Sequence, residues 1–140
     1  MRRTATLLLA SALALAGCSG EGSVASAGNA APAQAGAEVA LVSAAELRSL
    51  MEQGKVVLVD VRTPAEFGEA RLHGALNAPL QTFDPAAIPM EAERETILYC
   101  RSSGRSGRAA TMLAEHLGTR VRHMEGGILA WQEAGFDTIQ

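Results

Sequence analysis

Two apolar runs in this chain predict strands that are buried on both faces. Residues 56–59 read Val-Val-Leu-Val and end in Asp60, and residues 96–99 read Thr-Ile-Leu-Tyr and end in Cys100. Apolar runs without polar alternation are typical of parallel strands that are covered on both sides. Shorter apolar segments predict three further strands, at residues 39–41, 75–78 and 120–124.

Helix signals alternate with these strands. Ser43 and Glu46 have the spacing of a capping box, which predicts a helix through about residue 53. Thr63 and Pro64 predict a second, short helix. Two further helices are predicted, from the residues after Cys100 to about 117 and over 126–131, and residues 83–88 predict a loop or a weak helical turn. The alternation predicts an α/β domain with a mainly parallel central sheet flanked by helices.

The first seventeen residues predict a cleaved export signal. Arg2 and Arg3 precede an apolar run over residues 4–15, and small residues lead to Cys18. The run is shorter than the roughly 20 residues that cross a bilayer, which favours a signal peptide over a membrane-spanning helix or a buried core helix. Residues 15–18, Leu-Ala-Gly-Cys, resemble a bacterial lipobox. That resemblance implies cleavage before Cys18 and lipid attachment to its sulfur.

Lipid attachment predicts the place of the protein in the cell. More than one acyl chain makes membrane anchoring stable. Ser19 follows Cys18. In bacteria with two membranes, lipoproteins with a residue other than Asp after the lipidated cysteine tend to reach the outer membrane. We therefore expect an exported protein, lipid-anchored to the bacterial cell envelope at the outer membrane and facing the periplasm.

Composition separates a tether from a globular domain and narrows the partners. Residues 18–37 are rich in Ala, Gly and Ser and lack the apolar side chains that offset ordering entropy, so we expect a flexible tether before a domain over residues 38–140. The net charge is −3, and removal of the leader leaves ten basic and fifteen acidic residues. This balance gives no reason to expect nucleic-acid binding.

The segment that begins at Cys100 carries the chemistry. It reads Cys-Arg-Ser-Ser-Gly-Arg-Ser and lies between a predicted strand and a predicted helix. Unpaired N–H groups at the helix start, small residues that can curl their N–H groups into an anion-binding nest, and the charges of Arg101 and Arg105 all favour a thiolate. The same cradle suits thiosulfate, a persulfide or a phosphate. The plainer alternative is an inert buried cysteine at an ordinary helix N-terminus.

Residues 39–138 resemble a single rhodanese domain. The resemblance is carried by five segments in the family order: Val59-Asp60-Val61-Arg62, Glu66-Phe67, the segment from Gly74 to Pro79, Tyr99-Cys100-Arg101-Ser102 with Arg105-Ser106, and Gly126-Gly127 with Ala130-Trp131. It implies a three-layer fold with Cys100 as nucleophile, a substrate-binding loop made by Arg101, Ser102, Ser103, Gly104, Arg105 and Ser106, and no metal or organic cofactor. Two pairs depart from the family pattern, Ala70-Arg71 and Ser103-Gly104, and the second moves the permissive glycine by one position.

The resemblance implies sulfur transfer. Cys100 would take sulfane sulfur from a small donor such as thiosulfate, hold it as a persulfide and pass it to a thiol or to cyanide. Four residues separate Cys100 from Arg105, and phosphatase relatives of this fold use a loop one residue longer, so the spacing favours sulfur over phosphate. The alternatives are a non-catalytic rhodanese-like binding module anchored to the membrane, a phosphatase- or arsenate-reductase-like enzyme, and thiol redox exchange through Cys100 alone.

Residues beside the loop have both structural and functional interpretations. Asp60 is expected to close the turn after its strand, and Arg62 either joins it or lines the entrance and attracts an anionic donor. Glu66 caps its helix or pairs with an arginine of the loop. Trp131 is expected in the core. The three histidines lack metal-ligand spacing and are expected at the surface or in loops.

Overall fold

The computed structural model describes residues 36–140. The predicted signal peptide over residues 1–17, Cys18 and nearly all of the predicted tether lie outside the described residues. Within residues 36–140, none of the helices has the length and apolar character needed to cross a membrane.

The core of the domain is one parallel sheet. Its five strands are β1 (Glu38–Val42), β2 (Val56–Asp60), β3 (Leu76–Asn77), β4 (Glu95–Tyr99) and β5 (Arg120–Met124), in the spatial order β1-β5-β4-β2-β3. Every pairing between neighbours is parallel. Since β2 and β4 lie side by side in this order, Asp60 and Tyr99 are register partners, and Cys100 leaves the sheet beside them.

The helices of the described domain are α1 (Ala44–Glu52), α2 (Pro64–Glu69), α3 (Gly104–Leu117) and α4 (Gly127–Glu133), and the short α2 has no buried residue. Helix α3 packs on one face together with two 3₁₀ turns, Leu80–Thr82 and Pro85–Ala87. Helices α1 and α4 pack on the other face, where Trp131 is 1% exposed. The α/β fold with a parallel sheet between helices is therefore confirmed.

The two predicted buried strands have the expected environment. Four of the five residues in β2 and four of the five in β4 are buried. One core cluster lies under α3 and the other under α1 and α4, so both faces of these strands meet apolar side chains. This explains why neither strand alternates polar with apolar residues.

One local expectation changes in the structure. The Ser43 hydroxyl accepts from the Glu46 amide at 3.2 Å, but the Glu46 carboxylate binds Arg122 instead of returning to the cap. The capping box of α1 is thus half formed.

Candidate active site

Cys100 lies where β4 ends and the loop to α3 begins. The residue is 1% exposed, so the sulfur lies at the base of the loop. Ser102 and Ser103 continue the loop, and Gly104 is the first residue of α3. The predicted strand–loop–helix arrangement around this thiol is present.

Hydrogen bonds favour the thiolate of Cys100. Burial raises the pKa of the thiol, but the hydroxyl and amide of Ser106 and the amides of Ser102 and Arg105 together lower it below its ordinary value. The Ser106 hydroxyl lies 3.5 Å from the sulfur. These donors converge on the sulfur in the arrangement of a backbone nest.

The loop turns at a residue other than glycine. Ser103 has φ +82°, a conformation that L residues rarely adopt, whereas Gly104 is an ordinary helical residue. The Ser103 hydroxyl donates to the Met124 carbonyl at 3.1 Å and accepts from the Gly126 amide at 2.6 Å. The residue with the strained backbone is thus a serine, because the glycine of the family pattern is shifted by one position. One hydrogen bond that the serine donates and one that it accepts offset the strain.

A glycine pair forms the floor beneath the loop. Gly126 and Gly127 both have positive φ, at +67° and +59°. The next amide, that of Ile128, donates to the Cys100 carbonyl at 2.8 Å, and the amide of Leu129 donates to the Arg101 carbonyl at 3.3 Å. A Cβ on Gly127 would lie 2.4 Å from the Cys100 carbonyl oxygen. Only glycine permits so close an approach of the two backbones.

Arg105 is held by an acidic partner. Its guanidinium donates two hydrogen bonds of 2.7 Å to Glu66, whose carboxylate also accepts from Thr63 and completes the capping box of α2. Glu66 therefore fulfils both roles considered for it. The bond from Arg105 lowers the pKa of Glu66 to about 2. The stability that this ion pair adds is fully present above the ordinary glutamate pKa and is lost as the pH falls through about 2.

This ion pair changes the expected electrostatics of the loop. Arg101 and Arg105 were expected to act as two fixed charges on the thiolate. The charge of Arg105 is neutralised by Glu66, and Arg101 is exposed on the outside of the loop. The neutral hydrogen-bond donors of Ser102, Arg105 and Ser106 are therefore the main causes that lower the pKa of Cys100, and the charge of Arg105 acts on Cys100 as well.

Arg62 does not line the entrance. It is 5% exposed, and its guanidinium donates to both oxygens of the fully buried Asp60 and to the carbonyl of Ala70. A second contact places the guanidinium over the Tyr99 ring, 5.7 Å from its centre. The arginine is part of the framework beneath the site, and the expectation that it attracts a donor is wrong.

His123 lies in the interior of the domain. It was expected at the surface, but it is 7% exposed on β5, and its Nδ1 lies 3.1 Å from the Ser106 hydroxyl. The signal was present in the alternation of β5, because Val121 and His123 share one face and both are buried. His73 and His116 are exposed, as expected.

The fold is an α/β domain in which a deeply set cysteine lies among N–H groups at the carboxyl end of a parallel strand, the edge where the sites of such domains usually lie. Residues 43–134 match the family described as Rhodanese-like domain. The chain belongs to that family, and the resemblance seen in its sequence is confirmed.

Individual relatives agree with this assignment. An uncharacterized protein of Synechocystis is 40% identical over 94 residues, which cover 67% of this chain and 52% of that protein, about half of its length. The human thiosulfate:glutathione sulfurtransferase is 34% identical over 107 residues, covering 66% of this chain and 92% of that enzyme. The family thus includes sulfurtransferases.

Solved structures share the fold. The crystal structure of a rhodanese-related protein from Thermoplasma volcanium superposes with a TM-score of 0.59 at 25% identity. The superposition covers 70% of this chain and 95% of that one. The sheet and helices around Cys100 are therefore the family's common framework.

The strained serine gives a first prediction. Ser103→Ala keeps the positive φ and leaves the Gly126 amide without its acceptor, so we expect the free energy of unfolding to fall by about 1–3 kcal/mol. Ser103→Gly loses the same hydrogen bonds but relieves the backbone strain, worth on the order of 1 kcal/mol. Urea unfolding should rank Gly above Ala. Equal stability of the two variants would show that the positive φ costs nothing.

The glycine floor gives a second prediction. Gly127→Ala forces a methyl group against the Cys100 and Arg101 backbone, so we expect unfolding free energy to fall by more than about 2 kcal/mol. Gly68→Ala in α2 is the matched control, because a Cβ on Gly68 would meet open space and the residue has no positive φ. Helix propensity predicts that it gains about 0.5–1 kcal/mol. Urea unfolding followed by Trp131 fluorescence tests both, and similar losses in the two variants would contradict the close approach.

Proposed function

We propose that this chain is a sulfurtransferase that moves sulfane sulfur from a donor such as thiosulfate to a thiol or cyanide acceptor through a Cys100 persulfide. The observation that carries the proposal is the position of the Cys100 sulfur, which accepts hydrogen bonds from the Ser106 hydroxyl and from loop amides. The activity in the name of the human relative supports the choice of substrates.

The reaction has two balanced halves. In the first, the Cys100 thiolate attacks the outer sulfur of thiosulfate, a new S–S bond forms, and the old one breaks as sulfite leaves with its electron pair. In the second, a thiolate or cyanide attacks the outer sulfur of the persulfide, and Cys100 leaves as a thiolate. The chemistry uses no metal and no organic cofactor.

The loop suits both halves because its donors are neutral and fixed. The thiolate and the persulfide carry the same single negative charge, so donors placed for one serve the other. The amides of Ser102, Arg105 and Ser106 face the sulfur without rearrangement. The exposed Arg101 stands at the rim, where its charge can meet an anionic donor.

Persulfide formation is the decisive measurement. We expect the full chain carrying Cys18→Ala, reduced and kept in detergent, to gain the mass of one sulfur atom after incubation with thiosulfate. Cyanide should remove that sulfur as thiocyanate, because the outer persulfide sulfur is electrophilic. Intact mass spectrometry follows both steps.

The control adds Cys100→Ala, which should gain no mass. A folded, reduced protein that takes up no sulfur and forms no thiocyanate would contradict thiosulfate sulfurtransfer and favour the non-catalytic binding module. Turnover of an aryl phosphate would instead favour the phosphatase-like alternative.

We also propose that Cys18 carries the lipid that holds the domain at the envelope. The lipobox-like residues 15–18 support this proposal. We expect the wild-type chain, expressed in a bacterium with two membranes, to incorporate labelled palmitate and to fractionate with the outer membrane. Cys18→Ala should abolish the label, whereas Cys100→Ala should keep it. Label in the Cys18→Ala chain, or none in the wild type, would refute the anchor.

A further inference from the structure

A buried hydrogen-bonded group extends from the sulfur of Cys100 into the domain. The Ser106 hydroxyl oxygen lies 3.5 Å from the Cys100 sulfur and 3.1 Å from Nδ1 of His123. Ser106 is 0% exposed, Cys100 is 1% exposed and His123 is 7% exposed. One hydroxyl therefore bridges a thiol and an imidazole, and both of these groups can gain or lose a proton.

The fold makes space for this imidazole. His123 lies on β5 with Leu41 of β1 and Leu98 of β4 as its register partners. On the side of α3, a Cβ on Gly107 would lie 3.4 Å from Cε1 and 3.5 Å from Nε2 of the ring. The absence of a side chain at residue 107 thus leaves the histidine room to lie against the first turn of the helix.

The Ser106 proton has a choice of partners. The hydroxyl also lies 3.0 Å from the Ser103 carbonyl, which accepts from the Gly107 amide at 2.8 Å and has a second lone pair for the hydroxyl. The single hydroxyl proton can therefore turn to this carbonyl, to the sulfur or to the imidazole. When Nδ1 carries a proton it donates to Ser106, and the hydroxyl then donates to a negatively charged sulfur in preference to the neutral carbonyl.

We propose that His123 accepts, through Ser106, the proton that the Cys100 thiol gives up, and so acts as a positioning residue for the nucleophile. The S–H proton passes to the Ser106 oxygen as the hydroxyl proton passes to Nδ1. The products are a thiolate that accepts from Ser106 and an imidazolium that donates to Ser106. No proton is lost to solvent, and each heavy atom keeps a hydrogen-bond partner.

Among the groups around Ser106, Cys100 and His123 are the two whose protonation states bear on this proton transfer. Burial lowers the pKa of His123, so at neutral pH the imidazole is uncharged and able to accept. On α3, Arg105 is bound by Glu66 and Arg108 is exposed. The adjacent Arg122 of β5 points to the opposite face of the sheet. Each partner should therefore titrate at a pH that depends on the state of the other.

The proposal rests on the proposed function only in assigning Cys100 as the nucleophile, and its test needs no turnover. In the full chain carrying Cys18→Ala, the ring resonances of His123 are titrated by NMR, and the Cys100 thiolate is titrated by its ultraviolet absorbance. We expect the pKa of His123 to be higher with the thiolate present than after Cys100→Ala. Ser106→Ala should remove this difference, because it removes the bridge.

Variants of the histidine separate positioning from packing. His123→Leu should lower the fraction of thiolate at neutral pH about tenfold, the effect of one pH unit in the thiol pKa. His123→Asn should restore much of the thiolate, since an amide near Nδ1 can donate to Ser106 without titrating. His116→Asn at the exposed end of α3 is the matched control and should change neither titration.

The outcomes are distinct from those of the sulfur-transfer test. An equal His123 pKa with and without the Cys100 thiolate would overturn the proposal, as would an unchanged thiolate fraction in folded His123→Leu. Coupled titrations in a protein that takes up no sulfur would uphold the relay and refute only the sulfurtransferase assignment.

Discussion

The approach of the Gly126-Gly127 turn to the active-site loop is the contact on which the geometry of the site depends. By donating to the Cys100 and Arg101 carbonyls, the amides of Ile128 and Leu129 tie both oxygens to the start of α4. A peptide group whose oxygen points outward turns its N–H the other way. The nest around Cys100 thus forms because its carbonyl side is anchored to α4, a separate element of the fold.

The balance of forces at the sulfur follows from that anchoring. Burial opposes ionisation of Cys100, and the hydrogen bonds of the loop exceed this cost. Because Glu66 pairs with Arg105, neutral hydrogen-bond donors provide the larger part of the stabilisation of the thiolate. Dissolved salt screens buried dipoles much less than exposed charges. At the end of the neighbouring strand β2, the charges of Asp60 and Arg62 are also buried, and they pair with each other inside the fold.

The strands and the active-site loop were predictable from the sequence because each depends on residues that are close together along the chain. Runs of buried residues located β2 and β4, and the order of strand, cysteine, small residues and helix located the nest. Partners distant in sequence were not predictable in this way. Glu46, for example, turns from its own cap to Arg122 of β5. The alternation of β5 puts His123 on the buried face with Val121, but its hydrogen-bond partner, Ser106, comes from a different element, α3.

The strained backbone of Ser103 places its polar groups in contact with several elements of the fold. Its positive φ costs energy, yet its hydroxyl binds the Met124 carbonyl and the Gly126 amide, which joins the loop to its floor. Its carbonyl receives the Gly107 amide and lies within reach of the Ser106 hydroxyl. A glycine would adopt this backbone more easily but would leave the floor amide without that acceptor. The strain is therefore retained where it fixes both the nest and the hydroxyl that leads to His123.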